Sequence, residues 1–304
     1  MAERIILIPN VAEEIRIGSS FNYMIKVISE TECADAKVIW DFRQVNFLHP
    51  FFLAPLAIYK NTTDKEVVCV NISLKLQSYL NNIYFDRLLY FKNDSKEDIE
   101  KALNDYVEKS YIPVCSFAMT DSNKNAFGSA IQRLISTQTN IEKGGITPIS
   151  YFISELLDNI YEHSKSTNGY VFSQYLEREG VINLCIADTG ITIFNSYKDA
   201  GLHQEEIGED EATALWLANE GYSTKNLPEA ENRGYGISTS KRMLVEGLNG
   251  SFFMLSGSAF HRYERHQENY YVNLKNVFRW NGTVILLRIP VKVPKGFNYY
   301  DYLE

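Results

Sequence analysis

The chain has 304 residues, 45% of them hydrophobic, with 17 Phe and 20 Tyr, which is enough apolar material for two ordinary domains and excludes a disordered chain. The formal net charge is −8 and no long basic run occurs, which argues against broad binding to a nucleic-acid backbone. MAERIILIPN lacks a signal core, no apolar run approaches the roughly 20 residues of a membrane span, and Cys33, Cys69, Cys115 and Cys185 form no CxxC pair, so a cytoplasmic protein with buried, reduced thiols and no membrane partner is expected.

Strand-like and helix-like stretches alternate over residues 1–92. The β-branched runs 37–42 (KVIWDF) and 66–72 (EVVCVNI) read as buried strands. Between them, 51–59 is apolar and follows Pro50, a residue suited to a helix start. Residues 74–89 have helical spacing. A small α/β module is predicted here. Polar residues then gather at 92–100 (KNDSKEDIE), where Ser95 and its neighbours can cap a helix over 98–108. Residues 93–110 are read as a helical linker.

A second unit, 111–304, follows. Its predicted elements are a strand at 112–119, a helix at 125–136, and a long helix at 147–163 with Pro148 in its first turn. Two strands, 169–175 and 181–187, are joined at Arg178-Glu179-Gly180. Residues 191–233 are polar with little periodicity. A helix at 238–246 and strands at 251–255 and 283–289 complete the unit, and the aromatic stretch 259–280 reads as a hairpin insertion. The fold class is α/β and α+β, with helices in one layer and a mixed sheet in the other.

The chemistry concentrates in three places. On the helix 147–163, residues three and four apart share a face. Glu155, Asp158, Asn159, Glu162 and His163 form one polar stripe, opposite Phe152, Ile153, Leu156, Leu157 and Ile160. Alone, such a stripe is more often a solvated helix face. Second, Asp188-Thr189-Gly190 stands at a strand end, where a carboxylate can accept from an exocyclic amine and a glycine lets backbone approach closely. Third, Gly234-Tyr235-Gly236-Ile237 opens a helix, a geometry that points backbone amides at an anion.

In this order, Glu155-x-x-x-Asn159, Asp188-x-Gly190, Gly234-x-Gly236 and Gly282-Thr283 resemble the four boxes of the GHKL ATPase domain, the superfamily named for gyrase, heat-shock chaperone, histidine kinase and mismatch-repair protein. The resemblance spans about 110–293. It implies a two-layer α/β sandwich that binds ATP with Mg2+. Asn159 would be the metal ligand and Glu155 the catalytic residue that orients the attacking water. Asp188 and Gly190 would read adenine, with Thr283 in support. Gly234, Tyr235, Gly236 and Ile237 would line the phosphates. His163 would border the nucleotide, or else be a packed core histidine. Ser223-Thr224-Lys225 resembles the Thr-Thr-Lys of kinase-like members, so Thr224 and Lys225 would reach phosphate from a lid over 191–233; a solvated lysine is the equal alternative. Thr192 stands where a second glycine is usual, and Glu162 where many histidine kinases carry a basic residue.

More loosely, about 20–90, with Val38-Ile39-Trp40-Asp41-Phe42, resembles the STAS fold of anti-anti-sigma proteins, without their hydroxyl at the helix start. His49 is the only histidine before residue 155, and Pro50 makes it a poor phosphoacceptor. The implied activity is slow ATP hydrolysis coupled to a protein partner, docked through the N-terminal module or the lid. The rivals are a protein kinase of the anti-sigma-factor serine kinase or histidine-kinase-like type acting on a separate partner, and a non-enzymatic nucleotide-gated module. A homodimer is compatible with either.

Overall fold

A computed structural model describes residues 3–11, 18–34, 37–92, 94–138, 143–222, 235–267, 269–274 and 278–302. The chain is mixed α/β and contains two open sheets.

The N-terminal elements are β1 (Arg4–Leu7), α1 (Gly18–Glu32), β2 (Lys37–Asp41), α2 (Pro50–Thr62), β3 (Glu66–Val70) and α3 (Leu74–Asn82). The three strands pair in parallel, in the order β1-β2-β3. Pro50 fixes the first turn of α2, and His49 caps it by accepting from the Phe51 amide at 3.2 Å through Nδ1. His49 is fully buried, and burial, reinforced by the charge of Arg288, pushes its imidazole down to about 3. It is therefore a neutral structural residue at physiological pH.

Next come β4 (Leu89–Phe91), α4 (Lys96–Glu108), β5 (Tyr111–Ala118), α5 (Asp121–Gln138), α6 (Lys143–His163), β6 (Asn168–Leu176) and β7 (Val181–Asp188). Three short helices follow: α7 (Ile193–Ala200), α8 (Gln204–Ile207) and α9 (Glu211–Asn219). Helix α10 (Tyr235–Arg242) runs into a π-helical turn, Met243–Gly247, and then come β8 (Ser251–Gly257), β9 (Ala259–Glu264), β10 (Tyr270–Asn273) and β11 (Trp280–Pro290). A 3-10 turn, Tyr299–Tyr302, closes the described chain. The large sheet has the order β10-β9-β8-β11-β7-β6-β5-β4, antiparallel except where β4 joins β5.

Strands β7, β8 and β11 are buried at nearly every position because both faces of this sheet are covered. Ile182, Leu184 and Ile186, with Phe252, Met254, Ile285 and Leu287, join a core formed with α4, α5, α6 and α10. Their neighbours Cys185, Ala187, Phe253, Leu255, Val284 and Leu286 join the core of the N-terminal elements on the opposite face. Period-two alternation thus feeds two cores from one set of strands. Phe51 of α2 and Phe21 of α1 both touch the ring of Phe253, at centroid distances of 5.8 and 5.3 Å. Residues 50–59 of α2 are all buried. Helices α1 and α2 therefore lie between the two sheets, and the N-terminal module is a fixed wall of the second unit.

Four expectations change. The helix over 74–89 stops at Asn82, and Leu89 belongs to an edge strand of the large sheet. The expected linker is packed: α4 lies on α5 and buries Ile99, Leu103 and Val107. The polar stretch after residue 191 is helical up to Asn219, with a small core of Phe194, Tyr197, Ile207, Ala214 and Leu217. Cys33 is exposed, while Cys115 and Cys185 are buried as read. Among the described residues, no helix is long and apolar enough to cross a membrane.

Candidate functional site

Helix α6 lies by its apolar side against the large sheet. Ile149, Phe152, Ile153, Leu156, Leu157 and Ile160 are buried, while Glu155, Asp158, Asn159 and His163 are partly exposed and Glu162 is exposed. The polar members are not equivalent. Asp158 is engaged by Lys124 of α5, whose ammonium also sits 4.8 Å from the ring centre of Tyr161. Glu155 receives the hydroxyl of Tyr151, one turn earlier. Asn159 donates through Nδ2 to the Glu155 carbonyl at 2.7 Å, which leaves Oδ1, the atom a hard cation would take.

The end of α6 is tied to the segment after β7. The Ser164 carbonyl accepts from the Ile191 amide at 2.7 Å. A Cβ on Gly190 would stand 2.0 Å from that same carbonyl oxygen, so only glycine lets the two segments meet. Asp188, at the end of β7, has 1% of its surface exposed. Its Oδ1 accepts from the Gly190 amide at 2.8 Å and its Oδ2 from the Thr283 amide at 3.2 Å. Burial pushes the carboxyl up to about 7, and the two amides pull the other way. Gly282, at φ +85°, is required by the same packing, since a Cβ there would lie 2.3 Å from Asp188 Oδ1. The three strand-end residues read from the sequence, Asp188, Gly190 and Thr283, thus form one hydrogen-bonded cluster.

Two members of the cluster escaped the sequence reading. Ser256, on β8, accepts from the Thr283 hydroxyl at 3.2 Å and the Ile193 amide at 2.9 Å, and donates to the Gly282 carbonyl at 3.0 Å. Trp280 donates through Nε1 to the Asp188 carbonyl at 3.0 Å. Neither residue stands in a local motif. Their roles follow from strand register alone.

Helix α10 packs beside α6. Residues Tyr235 and Gly236 form its first turn. Ile237 is 9% exposed and its side chain joins the core, which leaves only its backbone for a ligand. Thr224, Lys225 and Gly234 lie outside the described residues. Among the described residues, no group of three His, Cys, Asp or Glu side chains is arranged to hold a metal ion. A magnesium ion at this site would rest on Asn159, on the phosphates it accompanies, and on water.

The donor set fits an adenine nucleotide. It offers a buried carboxylate for an exocyclic amine, an amide oxygen for a hard cation, and a helix N-terminus for an anion. Comparisons with protein-family models, curated proteins and solved structures gave no match.

Proposed function

We propose that residues 111–304 form a GHKL-type domain that binds ATP with magnesium and hydrolyses it slowly. The observation that carries this reading is the junction of α6 with the Asp188 cluster. A helix bearing Glu155 and Asn159 is bonded through Ser164 to the segment of a buried strand-end aspartate. A solvated amphipathic helix has no need of that aspartate, which is buried and held by the Gly190 and Thr283 amides.

Magnesium supplies charge neutralisation on the phosphates when bound. The chain's own residues do the rest. Asp188 holds an adenine amine in a dry pocket and, with Thr283 and Ser256 behind it, disfavours a guanine oxygen at that point. Asn159 presents its Oδ1. Glu155, steadied by Tyr151, orients a water and takes its proton. The backbone at the start of α10 offers amides to the phosphates. The N-terminal module, which we read as STAS-like, closes the back of the sheet. Residues 50–59 of its helix α2 are buried, so a protein partner meets the module on its other surfaces.

Phosphate release by the wild-type protein and by Glu155→Ala tests the reaction. Loss of the water-orienting carboxylate lowers the rate roughly 10²–10⁴-fold. Equal rates remove Glu155 from the mechanism. Labelled γ-phosphate appearing on a second protein, with none released, would make the domain a kinase.

A further inference from the structure

Lys241, on α10, has 2% of its surface exposed, although among the described residues no carboxylate lies within ion-pair distance of its ammonium. Its Nζ donates to the Asn219 carbonyl at 3.5 Å, to Asn219 Oδ1 at 3.3 Å and to the Tyr271 hydroxyl at 3.3 Å. The rings of Phe252, Tyr263 and Tyr271 surround it, at centroid distances of 6.0, 5.9 and 6.0 Å. His261, fully buried, stacks on Tyr271 at 3.9 Å and backs the cage. The ammonium thus bonds three elements together: α10, the C-terminal end of α9, and the β9–β10 hairpin.

The other end of α9 is fixed to the same hairpin region. Asn273 accepts from the Ala212 amide at 2.9 Å, and the Glu211 carboxylate accepts from the Ser258 amide at 2.6 Å and the Ser258 hydroxyl at 2.7 Å. Arg279 pairs with Glu211 at 2.6 Å. Helix α9 and the hairpin are therefore one block, and Lys241 fastens α10 to it.

A buried ammonium with no carboxylate at ion-pair distance is costly even with the charge of Glu220 acting on it from further off, and a methionine would fill a similar volume without that cost. What a methionine cannot do is hold direction. The three N–H donors of lysine meet fixed acceptors on two other elements, whereas a thioether slides. Lys241 stands five residues beyond Gly236, about 7.5 Å along the helix axis, so it sets the height of the first turn of α10 without touching a ligand there.

We propose that Lys241 is a positioning residue for the nucleotide site: it fixes where the backbone amides at the start of α10 stand relative to Asn159 on α6. This rests on the reading of the site given above. The hairpin 259–274, which has no chemistry of its own, gains a role as the anchor for that positioning.

The test compares wild type with Lys241→Met, measuring adenosine and Mg-ATP affinities by competition and thermal stability alongside. The expected result is unchanged adenosine affinity, a melting temperature equal to or above wild type, and about a tenfold loss of Mg-ATP affinity. Wild-type Mg-ATP affinity in the variant overturns the proposal, as does a parallel fall in adenosine affinity and melting temperature, which marks a merely structural lysine. A wild-type protein that binds neither ligand overturns the nucleotide reading itself, and the proposal with it.

Discussion

If Asp188 reads the adenine amine, the preference of the protein for that amine depends on pH. The carboxyl is pushed up to about 7 by burial, so it ionises in an accessible range. A hydrogen bond to a carboxylate contributes about 1.5–3 kcal/mol and one to a neutral acceptor about 0.5–1.5 kcal/mol. The two forms of Asp188 therefore differ by about 1.4 kcal/mol, roughly tenfold, in their hold on the amine. At about pH 8.5 nearly all of the carboxyl is ionised, and at about pH 6 roughly nine-tenths is neutral. Weighting the two forms gives about a fivefold fall in preference between these values. This range also stays above the acidic region where a chain of net charge −8 approaches neutrality. The phosphates of ATP titrate here too, so ATP is measured against purine riboside triphosphate, which lacks only the amine. The phosphate contribution cancels in the ratio of their affinities. A ratio that stays flat, or rises as pH falls, refutes the placement of Asp188 at the base.

Other outcomes follow from the same cluster. The Asp188 carboxyl contributes a loss of stability as pH rises from 3.8, the ordinary carboxyl value, through about 7, because the unfolded chain ionises there before the buried carboxyl does, while His49 and His261, pushed down to about 3 by burial, contribute a gain over much of the same window. The Asp188 contribution is at most about 4 kcal/mol, and denaturant titrations of wild type and Asp188→Asn across that window read it as their difference; a difference that stays flat with pH contradicts a buried, unliganded Asp188. Gly190→Ala forces a Cβ onto the Ser164 carbonyl, so calorimetry should show a melting temperature lowered by several degrees, together with weakened nucleotide binding. Ser256→Ala leaves the Ile193 amide without its acceptor and costs about 1–3 kcal/mol in urea titrations. His49 takes no phosphate under any labelling condition, since its ring is fully buried at the start of α2; mass spectrometry of labelled protein checks this.

Legibility in the sequence tracked the strength of local periodicity. Helix α6 shows a 3.6-residue apolar stripe over five turns, and its buried face is the predicted one. The β6–β7 hairpin and strands β8 and β11 are runs of apolar residues that propensity alone picks out. Strand β4 has three residues and pairs only at the sheet edge, too little for a period to show. Helix α8 has four residues, and α9 owes its place to Asp210, Asn273 and Glu211, which bond across 47 to 63 positions of chain. The glycine at 190 was legible as a close approach, while its reason, a carbonyl 26 residues earlier, was not.

By itself, the sequence determined which stretches fold as strands and helices and which residue types stand at their ends: a carboxyl after β7, an amide on α6, glycines at 190 and 282. Those are local properties, set by side-chain shape and spacing over a few residues. Only the tertiary structure decided that the large sheet is covered on both faces, that Trp280 and Ser256 buttress Asp188, and that Lys241 is buried in an aromatic cage. The physical reason is that burial and hydrogen-bond partnership belong to pairs of elements distant in the chain. Strand register and helix packing set those pairings, and no single stretch of residues encodes them.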